Sequence, residues 1–243
     1  MNKLSERIEN LPASATLAMA AKARELKNSG VDVISLSLGE PDFNTPDFIK
    51  EAAIKAIEEN YHSYPPVDGY LELKNAICEK FKRDNNLNYN PSQIVVSTGA
   101  KQSIANVCMA LLNKGDEVLI PAPYWVSYSA IVTLSEAKFK IIPTSMENGF
   151  KITTAQLKSK LTSKTKLIMF NSPNNPSGIV YSEKELYEFA KILKDYPNTY
   201  VLSDEIYEHI IYGEKHFSFA NLPNMFDRTC LLYTSDAADD CRC

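Results

Sequence analysis

Between residues 94 and 205, short apolar runs alternate with longer amphipathic stretches. The short runs are rich in β-branched residues, which favour strands, and the longer stretches repeat their apolar positions with a helical period. The predicted strands are IVVSTG, DEVLIPA, KFKIIPT, TKLIMFNS and TYVLSDE, and the predicted helices are AKQSIANVCMALLN, YWVSYSAIVTLS, TTAQLKSKL and SEKELYEFAKILKDY. This alternation indicates an α/β fold, with a mostly parallel sheet that has helices on both faces.

The N-terminal part is predicted to contain three helices and one short strand. An alanine-rich helix spans residues 14–28, and Thr45-Pro46-Asp47 is predicted to begin a second helix that continues to about residue 60. Between them VDVISLSLGEPDF is predicted to be a strand that leads into a turn, and a third helix ends near Asp84. We assign residues 1–45 to an N-terminal segment and residues 46–229 to one large domain.

Charge and cysteine content narrow the class of protein. The 243 residues have a net charge of −4, so there is no basic excess for binding nucleic acid. No apolar run approaches the ~20 residues of a membrane helix, and the N-terminus lacks a signal-peptide core, which predicts a cytoplasmic protein without a membrane partner. Cys78 and Cys108 are expected to be buried, reduced thiols, and no metal site is predicted.

In parallel α/β sheets, ligands bind beyond the carboxyl ends of the strands. After the first of these strands, the sequence STGAKQ leads directly into a helix, and the N–H groups of Gly99, Ala100 and Lys101 would suit a phosphate. The alternative is a helix start without a ligand. The sequence matches neither the G-x-G-x-x-G nor the Walker pattern, which argues against a dinucleotide or ATP.

Two further strand ends contain side chains suited to a flat ligand. Trp125, the only tryptophan, follows a strand in PAPYW, where its indole could stack on a heteroaromatic ring or pack in the core. Asn175, in the NSPNNPSG loop, could donate a hydrogen bond to an oxygen, although Asn, Pro and Gly also form plain turns.

Asp204 ends the apolar run VLSD, and Tyr207 follows it. A carboxylate at the end of a buried strand needs a cation or several hydrogen bonds, and it would keep a pyridine nitrogen protonated. A capping role for Asp204 is the alternative. Together, the strand ends predict a ligand with a flat ring, a phosphate, a basic ring nitrogen and a phenolic oxygen. Pyridoxal 5′-phosphate (PLP) has all four.

These motifs, in this order, resemble those of the fold-type I PLP enzymes, and most closely those of class I aminotransferases of the aspartate aminotransferase group. The matching segments are LGEPDFNTP, STGAKQS, NNPSG and SDEIYEHIIYG, and the resemblance extends from about residue 5 to residue 229. It implies amino transfer between an amino acid, aspartate-like by preference, and a 2-oxo acid.

The resemblance also implies roles for single residues. Gly99, Ala100 and Lys101 would hold the PLP phosphate, Trp125 would stack on the ring, and Asp204 would pair with its nitrogen. Asn175 and Tyr207 would donate to the phenolic oxygen. For the substrate, the implied contacts are Gly39, Trp125 and Asn175. Tyr64 matches a tyrosine that reaches the phosphate from a neighbouring subunit, which implies a homodimer.

One element of the family pattern is absent. The lysine that holds the cofactor as a Schiff base belongs one strand beyond SDEIYEH, but no lysine follows Lys215. No catalytic residue is therefore assigned, and the chain is expected to be an inactive fragment. Two alternatives are another fold-type I enzyme, such as a carbon–sulfur lyase or a ring-forming synthase, and a non-catalytic, truncated PLP-binding protein.

The last fourteen residues, CLLYTSDAADDCRC, differ in composition from the rest of the chain and contain three of its five cysteines. We expect residues 230–243 to be a non-native tail that does not continue the fold.

Overall fold

The computed structural model describes residues 4–11, 15–36, 39, 43–213 and 215–234. The helices are α1 Glu6–Glu9, α2 Ala15–Asn28, α3 Asp47–Glu58, α4 Leu71–Asn85, α5 Ala100–Leu111, α6 Ser127–Leu134, α7 Thr154–Lys160 and α8 Glu183–Leu193. The strands are β1 Glu117–Pro121, β2 Lys138–Ile142, β3 Thr165–Asn171, β4 Tyr200–Asp204 and β5 Thr229–Leu232. Short 3₁₀ turns occupy Pro91–Gln93, Met146–Asn148, Phe219–Asn221 and Phe226–Arg228.

The five strands form one parallel sheet in the order β2-β1-β3-β4-β5. Because parallel strands need crossover connections, helices lie between most successive strands. The predicted α/β class, with a parallel sheet and helices on both faces, is confirmed. Four of the six predicted strands, those from DEVLIPA to TYVLSDE, form as predicted.

Each face of the sheet packs against its own pair of helices. Side chains of α7 and α8 share one buried cluster with Leu119 and Phe170 of the sheet. Side chains of α5 and α6 share a second cluster with Ile120 and Met169, which are adjacent in sequence to those two residues. Successive side chains of a strand point to opposite faces of the sheet. The continuous apolar runs of β1 and β3 therefore place buried side chains on both faces.

The helices on the first face begin with capping boxes. Thr153 Oγ1 accepts a hydrogen bond from Gln156 N at 3.1 Å before α7, and the Gln156 side chain accepts from Thr153 N at 2.9 Å. Ser182 and Glu185 form the same reciprocal pair before α8. These caps satisfy N–H groups that have no partner within the helix, and so fix where each helix starts.

Two predicted strands do not form. In IVVSTG the described residues 94–97 have no strand pairing, and Val96 N donates instead to Asp68 O at 3.1 Å. Residues 31–36 of VDVISLSLGEPDF also lack strand pairing, and Ile34 and Leu36 are exposed. A strand needs a neighbour for its N–H and C=O groups, and no described segment pairs with either run. A composition rich in β-branched residues was therefore not sufficient to predict these two strands.

The N-terminal helices follow the prediction closely, but α3 starts differently. α2 ends at Asn28 as predicted, and α3 begins at Asp47 with Pro46 as its N-cap, without a side-chain cap from Thr45. No described side chain of α1, α2 or α3 is buried. Cys108 is buried as expected, whereas Cys78 is only partly buried.

The last strand of the sheet extends across the expected boundary at residue 229. Thr229–Leu232 pair in parallel with Val201–Asp204, and Leu232 is buried. The strand forms because Leu231 and Leu232 add apolar side chains on alternate faces next to β4. Residues 235–243, the rest of the expected tail, lie outside the described part of the chain.

Candidate cofactor site

The candidate residues gather at the carboxyl edge of the sheet. Asn171 pairs with Asp204 at the ends of β3 and β4, and Asp204 pairs with Leu232 at the end of β5. β1 ends at the same edge with Pro121, four residues before Trp125. The parallel topology therefore brings the loops after β1, β3 and β4 together, as the positions of the motifs predicted.

Asp204 is buried at this edge, with 1% of its surface exposed. Tyr128 Oη donates a hydrogen bond to Asp204 Oδ2, and Ile206 N lies 3.5 Å from Oδ1. Burial raises the pKa of Asp204 to about 6, although these two hydrogen bonds oppose the rise. The charge of Glu205 adds to it. Among the described lysines, arginines and histidines, none forms an ion pair with Asp204.

In the part of the chain that the structure describes, Asp204 is therefore a carboxylate with hydrogen-bond donors but without a cationic partner. A buried charge is normally paired, because taking an ion out of water costs several kcal/mol. The capping alternative accounts for little of this, since the contact from Ile206 N is long. A cationic group on a ligand would supply the missing partner.

Asn175 and Tyr207 come from different loops and meet beside this carboxylate. Asn175 Nδ2 lies 3.3 Å from Tyr207 Oη. Asn175 N donates to Asn171 Oδ1 at 2.6 Å, and Asn171 Nδ2 donates to Asp204 O at 3.0 Å. The Asn171 carboxamide thus joins the loop after β3 to the end of β4, and two side-chain donors converge on one place.

Trp125 lies half-buried just before α6. Its ring and that of Tyr128 are edge-to-face, with centroids 5.7 Å apart and planes at 89°. Lys101 Nζ lies 4.9 Å from the centroid of the Trp125 ring, a cation–π distance. The indole therefore links the first turn of α5, through Lys101, to Tyr128 and so to Asp204.

The helix start at Gly99 has the geometry expected of an anion site. Gly99 has φ +83°, a backbone conformation that favours glycine, and it precedes α5 without a side-chain cap. The N–H groups of Ala100 and Lys101 lie in the first turn, where helix geometry provides no acceptor. A helix start without a ligand would have the same backbone geometry. The geometry at Gly99 therefore supports an anion site only in combination with the neighbouring residues.

In the described chain, no recorded contact joins Gly39 or Tyr64 to these residues. Tyr64 lies in the loop between α3 and α4 and is fully exposed. Gly39 is also exposed, and no other atom of the described chain lies within 4 Å of where its Cβ would be. Their implied roles remain predictions.

The sequence interpretation missed the buried residues that hold the site. Tyr128 was assigned only to a helix, although its position three residues after Trp125 places both on one side of the helix start. Glu205 is buried and accepts hydrogen bonds from Ser203 Oγ at 2.7 Å and Ser218 Oγ at 2.9 Å, with Phe219 N at 3.2 Å. The adjacent residues Asp204 and Glu205 could have indicated this, because two successive buried carboxylates each need their own hydrogen-bond donors or cation.

A second buried network anchors the segment after Tyr207. Glu208 forms an ion pair with Lys80 of α4 and accepts a hydrogen bond from Asn85 Nδ2 at 2.7 Å. All three side chains are buried, and Lys80 Nζ also lies 4.6 Å from the Tyr233 ring centroid. The contacts join residues 128 positions apart in sequence, so no local pattern could have indicated them.

A groove of about 610 Å³ lies between α4, residues 93–97, α5 and the open edge of β5. It reaches Gly99 and Ala100, but Trp125, Asn175 and Asp204 do not line it. β5 is the last strand of the described sheet, and the convergent polar groups of the candidate site lie outside this groove. Within the described residues there is no cluster suited to a metal ion and no helix long and apolar enough to span a membrane.

The sequence and the fold both match known proteins. The family model for aminotransferase class I and II matches residues 31–235. The aspartate/prephenate aminotransferase of Cereibacter sphaeroides is 46% identical over 228 residues, which are 93% of this chain and 57% of that protein. The aspartate aminotransferase of Pinus pinaster is 49% identical over 228 residues, or 93% of this chain and 46% of that protein.

Among solved structures, the Thermus thermophilus aspartate aminotransferase with maleate matches with a TM-score of 0.92 and 39% identity. The match covers 97% of this chain and 61% of that one. The chain thus spans between 46% and 61% of the length of these proteins. With a family match over most of its length and a fold that agrees with it, the chain belongs to the class I and II aminotransferase family.

Proposed function

We propose that this chain is the cofactor-binding part of a PLP-dependent aminotransferase, which transfers an amino group between an amino acid and a 2-oxo acid. Enzymes of this family use PLP. The observation that carries the proposal is Asp204, a buried carboxylate with no cationic partner among the described residues, beside the convergent donors Asn175 and Tyr207. When bound, PLP supplies the electron sink that stabilises the negative charge left by loss of a proton from the amino acid.

The residues present fit the chemical groups of PLP. Asp204 would pair with the protonated ring nitrogen, and attraction between opposite charges in a buried site would keep that nitrogen protonated. Asn175 Nδ2 and Tyr207 Oη would donate to the phenolic oxygen. Trp125 offers a half-buried indole suited to stacking on the ring.

The phosphate would be held by the first turn of α5. The N–H groups of Gly99, Ala100 and Lys101 and the positive end of the helix dipole favour an anion there. Lys101 Nζ, which lies over Trp125, adds a positive charge between the helix start and the indole. The phosphate end and the ring end of the site are thereby connected through a side-chain contact.

An aspartate-like substrate is supported by the names of the related proteins. Two relatives are an aspartate/prephenate and an aspartate aminotransferase, and the Thermus thermophilus structure contains maleate, a dicarboxylate. We propose that Gly39, Trp125 and Asn175 contact the substrate, because two of them border the proposed ring site.

We further propose that the whole protein is a homodimer in which Tyr64 reaches the partner's cofactor phosphate. The support is its exposure: a large side chain held fully in solvent in the loop between α3 and α4. Exposed aromatic side chains are common at interfaces, where they become buried.

The 243-residue chain should bind PLP without a covalent bond. No lysine follows Lys215 in its sequence, and Lys101 lies over Trp125 at the start of α5. We therefore expect no transaminase turnover from the chain itself. Steady turnover of aspartate and 2-oxoglutarate by the purified chain would contradict this. Sequencing the encoding DNA beyond the codon for Thr229 would show whether a lysine-containing strand follows.

Fluorescence of Trp125 tests the proposed binding, because it is the only tryptophan in the sequence. We expect PLP to quench this fluorescence saturably, and pyridoxal, which lacks the phosphate, to bind at least about tenfold more weakly. After borohydride reduction and dialysis, the quenched signal should recover, because no specific lysine holds the cofactor. Absence of saturable quenching, or equal binding of PLP and pyridoxal, would overturn the proposal.

A further inference from the structure

Tyr128 connects two residues of the proposed site, Trp125 and Asp204. It lies in the first turn of α6, and only 1% of its surface is exposed. Its ring contacts the Trp125 indole edge-to-face, and its hydroxyl donates to Asp204 Oδ2. A packing role alone would be met by phenylalanine, and a buried hydroxyl needs a partner to offset its desolvation.

We propose that Tyr128 is a positioning residue for Asp204. Its hydroxyl donates a hydrogen bond to Oδ2, which fixes the plane of the carboxylate and keeps the Asp204 side chain ionised. The proposal rests on the proposed function, since the value of an oriented, ionised carboxylate is its pairing with a cationic ring nitrogen. Within the described residues, Oδ1 has only the long contact from Ile206 N, so this oxygen retains capacity for a ligand donor.

Electrostatics explains why such a donor is needed. Burial raises the pKa of Asp204, and the neighbouring carboxylate of Glu205 raises it further. Of the titratable groups near this pair, Tyr128 from α6 contacts Asp204, Tyr207 lies in the loop after β4, and His216 Nε2 lies 2.8 Å from Glu205 Oε2. No described cation contacts Asp204 itself, so hydrogen bonds are what oppose its protonation, and the one from Tyr128 is the larger of the two.

The same side chain fixes the indole. The Trp125 ring meets the Tyr128 ring at 89°, which places an edge of one against the face of the other. Because the Tyr128 hydroxyl is held by Asp204, the orientation of Trp125 is tied to the carboxylate through one residue. Tyr128 therefore fixes the orientation of both the Trp125 indole and the Asp204 carboxylate.

The test is the titration of Asp204 in the 243-residue chain, followed by ¹³C NMR of labelled aspartate carboxyls. The spectrum of Asp204→Asn assigns the signal. In Tyr128→Phe we expect the pKa of Asp204 to rise by about one unit or more, because a hydrogen bond to the charged form is lost. The matched control is Tyr181→Phe, which removes another buried tyrosine hydroxyl, bonded to Ile152 N at 3.0 Å on the opposite face of the sheet. The control should leave the Asp204 signal unchanged.

PLP affinity gives the second reading. At pH 6, Tyr128→Phe should bind PLP about fivefold more weakly than wild type, and the loss should shrink at higher pH as Asp204 ionises. An unchanged pKa of Asp204 in Tyr128→Phe, or a raised pKa with unchanged PLP affinity, overturns the positioning role. Failure of the wild-type chain to bind PLP overturns the proposed function instead, whatever the Asp204 titration shows.

If Tyr128→Phe does not fold, 3-fluorotyrosine introduced at position 128 keeps the shape and makes the hydroxyl a stronger donor. The pKa of Asp204 should then fall below its wild-type value. An unchanged titration of Asp204 in that protein would also overturn the proposal.

Discussion

Asn171 and Asp204 end neighbouring parallel strands, and the Asn171 carboxamide donates to the main-chain oxygen of Asp204 at 3.0 Å. Its own oxygen accepts from Asn175 N at 2.6 Å. One buried amide thus holds the relative position of the charge partner and of a proposed donor to the ring. The strength of the site should depend on a residue that touches no ligand.

We therefore expect Asn171→Ala to lower the free energy of unfolding by about 2 kcal/mol, because two buried hydrogen bonds are lost. It should also weaken PLP binding, since Asn175 and Asp204 are no longer held together. Urea denaturation and Trp125 fluorescence measure the two effects. The control is Thr199→Val, which removes the bond from Thr199 Oγ1 to Thr165 O at the opposite end of the same strands. If both variants reduce PLP affinity equally, the Asn171 bridge has no special role.

The buried charge of Asp204 should reduce the stability of the ligand-free chain above pH 6. The pKa of Asp204 is raised from 3.8 to about 6, so the folded state holds the proton more tightly than the unfolded state. The resulting penalty is absent below the unfolded pKa, develops between the two values and is complete above the folded one. A rise of about two units corresponds to about 3 kcal/mol.

Asp204→Asn should accordingly stabilise the chain relative to wild type at pH 8, with the difference vanishing towards pH 4. Glu117→Gln provides a control of opposite sign. Hydrogen bonds from Lys140 and Thr162 lower the pKa of Glu117, so its contribution to stability is lost as pH falls. Thermal unfolding across this pH range checks both variants, and a pH-independent difference for Asp204→Asn would contradict the account.

Lys80→Met should destabilise the chain strongly, by about 3–5 kcal/mol, because it leaves the buried Glu208 carboxylate without its cation. The double variant with Glu208→Gln should recover part of this loss. Lys22→Met, which breaks an exposed ion pair with Glu25, is the matched control and should change little. Chemical denaturation of wild type, both single variants, the double variant and the control measures the coupling, and additive effects of Lys80→Met and Glu208→Gln would argue against a shared network.

Tyr64→Ala should leave the stability of the single chain within about 0.5 kcal/mol of wild type, because the side chain is fully exposed. If the partner subunit uses this side chain, PLP affinity should fall only under conditions in which the protein is dimeric. Sedimentation combined with PLP titration separates the two cases. A loss of affinity in the monomer would show that Tyr64 acts within its own chain.

Local pattern predicted the sheet well where a strand has neighbours on both sides. The apolar runs around Leu119, Ile168 and Val201 are buried on both faces, and composition alone indicates such strands. The prediction from composition failed for residues 94–97 and 31–36, which are also rich in β-branched residues, because strand formation also requires a partner strand.

The same distinction applies to the site. Trp125, Asn175, Asp204 and Tyr207 follow directly from their positions at strand ends, since parallel topology places those ends together. Tyr128, Asn171 and the Lys80–Glu208 pair depend on side-chain contacts that the order of the residues does not specify. The residue types on which the proposed ligand rests are visible in the sequence, whereas the contacts that hold those residues in place required the structure.

The pairing of Asp204 with a protonated ring nitrogen is the central claim, and ¹⁵N NMR of PLP labelled at that nitrogen tests it most directly. The spectrum would be recorded with saturating chain at a pH well above the Asp204 pKa of about 6. The account predicts a protonated nitrogen with the wild-type chain and an unprotonated one with Asp204→Asn. An unprotonated nitrogen with the wild-type chain, or the same signal with both proteins, would contradict it.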